Sequence, residues 1–389
     1  MVLKDIFVTL CMLTRRTDKA AGFLGVRFFL PALFRRRYAN MGRLDTDTFT
    51  RQLDNIKTFK DTDWCGYWNA IAAEYEQKAA ETAASQGNQN SEAIRDLLIR
   101  AVTYYTVSAF PGDSPLKMQA YHKAGALLAQ IAPMYEENLE PLTLDIKGEK
   151  VNGYVRYPQG NQKGPMVIIT NGLEGTLQEI LIPLQKYRDS GLGVFVMEMP
   201  GTYACTTPMS AQSEKIYNGV IEHFASHPTV DAGKIGMIGI SFGGYWSARM
   251  AAVNPDLNCA VVCGAPLHHA FTFRNSIGMP EIFVSALKKV LGAKSLRSLR
   301  KATKALSFKK NDLYRQIKIP LLIINGENDT LTGTRDSIEL NMKVPSSLLK
   351  LYKGDDHCAM ENYDHWLDLT FDWLNMQFSR TPDHESHPQ

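Results

Sequence analysis

Six short, almost wholly apolar runs are spaced through the chain beyond residue 140: MVIIT (166–170), VFVME (194–198), IGMIGI (235–240), CAVVCG (259–264), LLIIN (321–325) and LLKLY (348–352). Few architectures accept that pattern. A strand with one wet face alternates polar and apolar residues, whereas one covered on both faces is apolar throughout. Amphipathic stretches of helical period separate the runs, and helical crossovers between buried strands build a parallel sheet flanked by helices. Ahead of them, LTLDIKGEKVNGYVRY alternates with period two and reads as a hairpin. Residues 141–379 therefore read as one α/β domain, followed by a polar tail at 380–389 that holds His384 and His387.

Residues 1–140 follow a different period. DWCGYWNAIAAEYEQKAAETAAS, SEAIRDLLIRAVTYYTVSAF and PLKMQAYHKAGALLAQIAPMYEEN repeat apolar residues at intervals of three and four, with the polar connector SQGNQNS (85–91) and a Pro-Gly-Asp turn (111–113) between them. This half reads as a helical domain that caps the other. Residues 271–315, basic and mostly helical, read as an insertion between strands that forms part of a lid. Near the start, IFVTLCML and FLGVRFFLPALFRRR are apolar but too short to span a bilayer, and Arg27 and Pro31 interrupt the second. No small-residue cleavage site follows. Both are expected as helices packed on the protein itself, with weak association with a membrane surface as the alternative.

Composition removes several classes of function. Across 389 residues, 43 Lys and Arg balance 40 Asp and Glu, a net charge of +3 that gives no electrostatic case for nucleic acid. The cysteines, Cys11, Cys65, Cys205, Cys259, Cys263 and Cys358, show no CxxC spacing; reduced thiols and a cytoplasmic location are expected. No metal-ligand spacing appears and no GxGxxG follows a first strand, so neither metal nor cofactor is expected.

The chemistry concentrates where IGMIGI runs into SFGGY. GISFG matches G-x-S-x-G between a strand and a helical stretch, the context in which a tight turn projects a serine hydroxyl from a sheet. Ser241 is then the nucleophile, and it needs a base. His357, in the loop YKGDDHCAMEN after the last apolar run, is the candidate that chain order Ser…acid…His selects. The acid should end an intervening strand: LLIINGENDTLTG offers Asp329, with Glu327 the close competitor; Asp355 and Asp356 are too near His357 in sequence to reach its far side. Charge on a tetrahedral oxygen requires donors, expected from the backbone N–H of Phe242 and from NGLEGT (171–176), at Leu173 or alternatively Gly172. Glu174 in that loop, and His268 and His269 in GAPLHH, are possible pocket residues. Tyr104 and Tyr105 are expected to line an apolar pocket beneath the helical cap.

With NGLEGT, EMPGTYAC, GISFGG and NGEND…KGDDH in place, the chain resembles the α/β-hydrolases of the FrsA-like (fermentation–respiration switch protein) esterase family, together with dihydroxypseudooxynicotine hydrolase and the fungal yellowish-green pigment hydrolases. The resemblance extends over residues 60–375, through WCGYWNAIAAEYEQKA and AVTYYTVSAFPGDSPLKMQAYHKAGALLA. It implies a helical cap over a hydrolase core, a homodimer, and Ser241, Asp329 and His357 as the catalytic set. It also implies a small-molecule substrate cleaved at an ester or at a C–C bond flanked by carbonyls. A regulatory binding protein on a hydrolase scaffold is the competing reading, which an intact triad disfavours.

Overall fold

The computed structural model describes residues 2–86, 91–135 and 138–380. The tail from 381 and residues 87–90 of the polar connector lie outside them. Eight strands form one sheet: β1 (Glu140–Ile146), β2 (Glu149–Arg156), β3 (Gly164–Thr170), β4 (Gly193–Met197), β5 (Val230–Ile240), β6 (Cys259–Cys263), β7 (Leu321–Gly326) and β8 (Ser347–Tyr352). Their spatial order is β1-β2-β4-β3-β5-β6-β7-β8. The hairpin β1–β2 and the β2–β4 pair are antiparallel, and from β4 to β8 every pairing is parallel. Every residue of β4, β6 and β7 is buried, as continuous apolar composition requires. Edge strand β8 alternates between half-buried and exposed positions instead and ends at buried Tyr352.

Among the described residues seven α-helices precede the sheet: α1 (Val2–Leu13), α2 (Thr17–Leu24), α3 (Leu33–Gly42), α4 (Thr46–Asn55), α5 (Asp61–Gln86), α6 (Ser91–Ala109) and α7 (Pro115–Tyr135). Crossovers then carry α8 (Gln178–Leu184), α9 (Glu214–Ala225) and α10 (Phe242–Val253). Between β6 and β7 come α11 (Phe273–Ser276), α12 (Glu281–Val290) and α13 (Leu296–Leu306), and the chain continues through α14 (Arg335–Lys343) and α15 (Tyr363–Ser379).

The pleat divides the sheet's side chains between two cores. Met166, Ile168, Phe195 and Met237 pack with α9 and α10, while Val167, Ile169, Val194 and Ile238 face the other way. That second core is continuous with the helical domain, whose Phe34, Tyr38, Phe49, Trp64, Trp68, Tyr104 and Phe110 are almost wholly excluded from solvent. Ring contacts tie these residues together, Trp68 stacking on Tyr104 at 6.0 Å and Phe34 meeting Phe110 at 5.1 Å. The helical half is thus fused to one face of the sheet through a shared apolar core.

Candidate active site

The parallel strands deliver their carboxyl ends to one rim, and the chemistry-bearing side chains follow from where each strand stops. At the end of β5 the chain turns straight into α10 through Ser241, whose φ of 56° and ψ of −119° lie where side chains rarely go. The turn closes because its neighbours lack side chains. A Cβ on Gly239 would strike the Gly243 carbonyl, and one on Gly243 would come within 2.6 Å of the Asn171 oxygen. Gly172 plays the same part from the β3 side, where a Cβ would stand 2.6 Å from that of Ser241.

Ser241 Oγ lies 2.9 Å from His357 Nε2, and His357 Nδ1 lies 2.9 Å from Asp329 Oδ2. His357 follows β8 and Asp329 follows β7; both are buried. The Asp329 carboxylate also accepts from Asn325 Nδ2, Thr332 Oγ1 and the N–H groups of Leu331 and Thr332. Burial alone would raise its pKa, but His357 and these donors outweigh that and hold it well below the ordinary carboxylate value. For His357 burial opposes protonation, and the adjacent Asp329 overrides it, placing the imidazole pKa well above the ordinary histidine value. Glu327 is exposed, and among the described residues its carboxylate accepts only the Gly354 N–H, at 3.4 Å. Asp355 and Asp356 instead clamp their own loop, taking N–H groups from residues 356, 361, 362, 330 and 357.

Of the two candidate donors on the β3 loop, Gly172 is already committed: its N–H points to Asn171 Oδ1 at 2.8 Å. The N–H groups of Leu173 and Phe242 have no acceptor among the described residues.

The cavity over Ser241 departs from the expected pocket. Its walls come from α3 (Leu33, Phe34, Arg37, Met41), from the 271–315 insertion (Met279, Phe283, Leu287) and from the rim residues Leu173, Ile240 and Leu331. Tyr104 and Tyr105 do not line it. They sit inside the helical domain, Tyr104 bonding Gln52 Oε1 at 2.8 Å and Tyr105 bonding Glu76 Oε1 at 2.6 Å. The apolar stripe of α6 faces its own helical neighbours, and Phe110 backs the cavity only indirectly, through Phe34 and Phe283. Glu174 is not a pocket residue either: buried, with φ 57°, it accepts the Gly112 N–H at 2.8 Å and ties the cap to the β3 loop. His268 and His269 turn away to Ser307 Oγ and Glu339 Oε2. Their backbone matters more than their rings. Buried Asp336 accepts the N–H groups of Leu267, His268, His269 and Ala270 at 2.8–3.0 Å, fixing the loop whose Pro266 and Phe271 line the cavity.

Arg37 was legible only as one of three arginines in FRRR. Its Nη2 donates to Glu179 Oε1 and to the Glu174 carbonyl, and its Nε also bonds Glu179. Burial would lower its pKa, yet Glu179 more than compensates. No acceptor of Nη1 occurs among the described residues. A largely buried, neutralised ion pair therefore stands beside the apolar side chains of α3.

A serine turned out between a parallel strand and a helix, backed by histidine on this sheet, defines an α/β-hydrolase. Residues 40–379 match the esterase FrsA-like family, and the chain belongs to it. Esterase FrsA of Vibrio cholerae serotype O1 (strain O395) is 25% identical over 339 residues, covering 84% of this chain and 79% of that one. The 2,6-dihydropseudooxynicotine hydrolase of Paenarthrobacter nicotinovorans is 25% identical over 326 residues, covering 82% and 86%. Among solved structures, 2,6-dihydroxy-pseudo-oxynicotine hydrolase superposes with a TM-score of 0.74 at 21% identity over 91% of this chain and 99% of its own. AbyA5 gives 0.72 at 20% identity over 87% and 96%. The family match begins at residue 40, so the cavity residues Leu33, Phe34 and Arg37 lie outside it.

Proposed function

We propose that the protein is a serine hydrolase that cleaves esters of small, uncharged, largely apolar acyl or aromatic substrates, with Ser241 as nucleophile, His357 as base and Asp329 as the orienting acid. One observation carries this reading: the Asp329–His357–Ser241 relay, at 2.9 Å in each link, ends at an apolar cavity. Ser241 Oγ attacks the substrate carbonyl while His357 Nε2 takes its proton, and Asp329 stabilises the imidazolium so formed. The tetrahedral oxyanion accepts the N–H groups of Phe242 and Leu173. Collapse expels the alkoxide, which His357 protonates, leaving an acyl-enzyme. Water then repeats the sequence, giving its proton to His357 and releasing the acid. The Arg37–Glu179 pair adds no net charge to the cavity, which favours uncharged substrates, and Nη1 is the arm left to meet a substrate oxygen.

The second reading, hydrolysis of a C–C bond between carbonyls, uses the same acylation with a resonance-delocalised carbanion as leaving group. Kinship with a hydrolase named for 2,6-dihydropseudooxynicotine supports it. A panel of p-nitrophenyl esters of increasing acyl length beside an aryl β-diketone, scored by kcat/KM, separates the two. Ester turnover that rises with acyl length is expected. Turnover of the diketone alone would transfer the assignment to C–C cleavage.

A further inference from the structure

The first two helices expose what a folded chain ordinarily buries. On α1, Val2, Leu3, Ile6, Phe7, Leu10 and Leu13 recur at helical spacing along one side, with Leu3 83% and Leu13 61% accessible; α2 adds Leu24 and Phe23, the latter 95% accessible. A contiguous row of exposed apolar side chains of this kind marks an interaction surface. Its charged residues are one-sided. Over residues 2–30 the exposed charged side chains are Lys4, which stands over the Phe28 ring, Arg15, Arg16, Lys19 and Arg27, the last paired with Asp54 at 3.0 Å, whereas the two acids, Asp5 and Asp18, are both partly buried. Asp18 is further committed to Thr58 and the Phe59 N–H.

We infer that this face docks on an anionic lipid surface. An apolar stripe bordered by lysine and arginine is what a helix lying in a bilayer interface requires. With 12 residues, α1 spans roughly 18 Å against a hydrocarbon core of about 30 Å, so it lies along the surface and does not cross it. A second copy of this chain fits the patch less well. Two-fold pairing sets a surface against itself, and here it would bring like charges together. The inner sides of α1 and α2 show what docking serves. Thr9 Oγ1 accepts the Gly278 N–H at 2.7 Å, and Thr17 Oγ1 donates to Glu281 at 2.6 Å. The segment so gripped carries Met279 and Phe283 into the cavity wall. Docking through these helices would bring the segment that carries Met279 and Phe283 to the lipid surface, from which an apolar substrate enters without passing through water.

Vesicle flotation tests the docking without reference to activity, so its failure leaves the hydrolase reading untouched. The full chain should float with vesicles of equal parts phosphatidylcholine and phosphatidylglycerol, and far less with phosphatidylcholine alone. The triple variant Leu3→Gln, Leu10→Gln, Leu13→Gln alters only exposed positions and should bind about tenfold more weakly or less, with an unchanged thermal melt. Lys4→Glu with Lys19→Glu should abolish the preference for the anionic vesicles. No flotation of the wild type, or flotation unchanged in the triple variant, would overturn the inference. So would a wild-type dimer in light scattering that the triple variant converts to monomer, since the patch would then be covered by a second copy.

Discussion

Asp329 receives five hydrogen bonds in a buried setting, and on the proposed mechanism that arrangement sets what each residue of the relay would contribute. A carboxylate so stabilised stays ionised and cannot take the proton itself; it orients His357 and supports its positive form. Ser241→Ala and His357→Ala should each lower kcat by roughly three orders of magnitude or more, because members of such a relay act as a unit. Asp329→Asn should cost less, and Glu327→Gln, on an exposed side chain, close to nothing. Steady-state kinetics on variants with wild-type circular dichroism check the ranking, and a greater loss for Glu327 than for Asp329 would contradict it. The pH profile follows from the same geometry. Only neutral His357 accepts a proton, and Asp329 raises the imidazole pKa, so activity is lost as pH falls and the acid limb of kcat/KM should lie above 6.5. Asp329→Asn removes the anion and leaves burial, which opposes protonation; the limb should then move below that of the wild type.

Elements were legible in the sequence to the extent that period reports burial. Five of the apolar runs became strands buried on both faces, as their composition requires, whereas LLKLY became the half-exposed edge strand β8; Ser241 and His357 follow the ends of β5 and β8. Which wall faces the cavity was not legible. The stripe of α6 announces that Leu98, Val102 and Tyr105 are covered without saying by what, and α3, which builds the wall, reads as the basic run FRRRY. Arg37 is largely covered there, neutralised by Glu179 142 positions away, and local sequence cannot carry that pairing. Asp336 was missed likewise, since its four N–H donors come from residues 267–270. A further long-range bond joins α7 to the loop after β4: Tyr121 donates to buried Glu198 at 2.8 Å, and burial pushes the Glu198 carboxyl up to about 7. A carboxyl with a raised native pKa binds its proton more tightly folded than unfolded. Its contribution to stability is therefore greatest below about 4.5 and declines as pH rises to about 7. Relative to wild type, Glu198→Gln should look better at pH 8 than at pH 5 by about 1–3 kcal/mol in denaturant melts. A pH-independent difference would place the ionisation elsewhere.

The whole molecule joins an N-terminal helical wall, an inserted helical segment and the carboxyl ends of the parallel strands around one cavity. Because α3 and the 271–315 insertion both supply apolar surface to the cavity, substrate size should be read by both. Phe283→Ala removes a ring that meets Phe110 at 6.1 Å, and it should raise KM for long-chain or aromatic esters several-fold while sparing acetate esters. Tyr104→Phe, deep in the helical core, should leave that ratio unchanged. Equal effects of Phe283→Ala on both ester classes would mean that the lid does not contact substrate. All of this presupposes that Ser241 is a working nucleophile, and intact-protein mass after exposure to a fluorophosphonate tests that directly. The account predicts one covalent adduct on the wild type, mapped by peptide mass to Ser241, no adduct on Ser241→Ala and greatly slowed labelling of His357→Ala. A folded wild type that gains no adduct, or one labelled equally well without its serine, would contradict it.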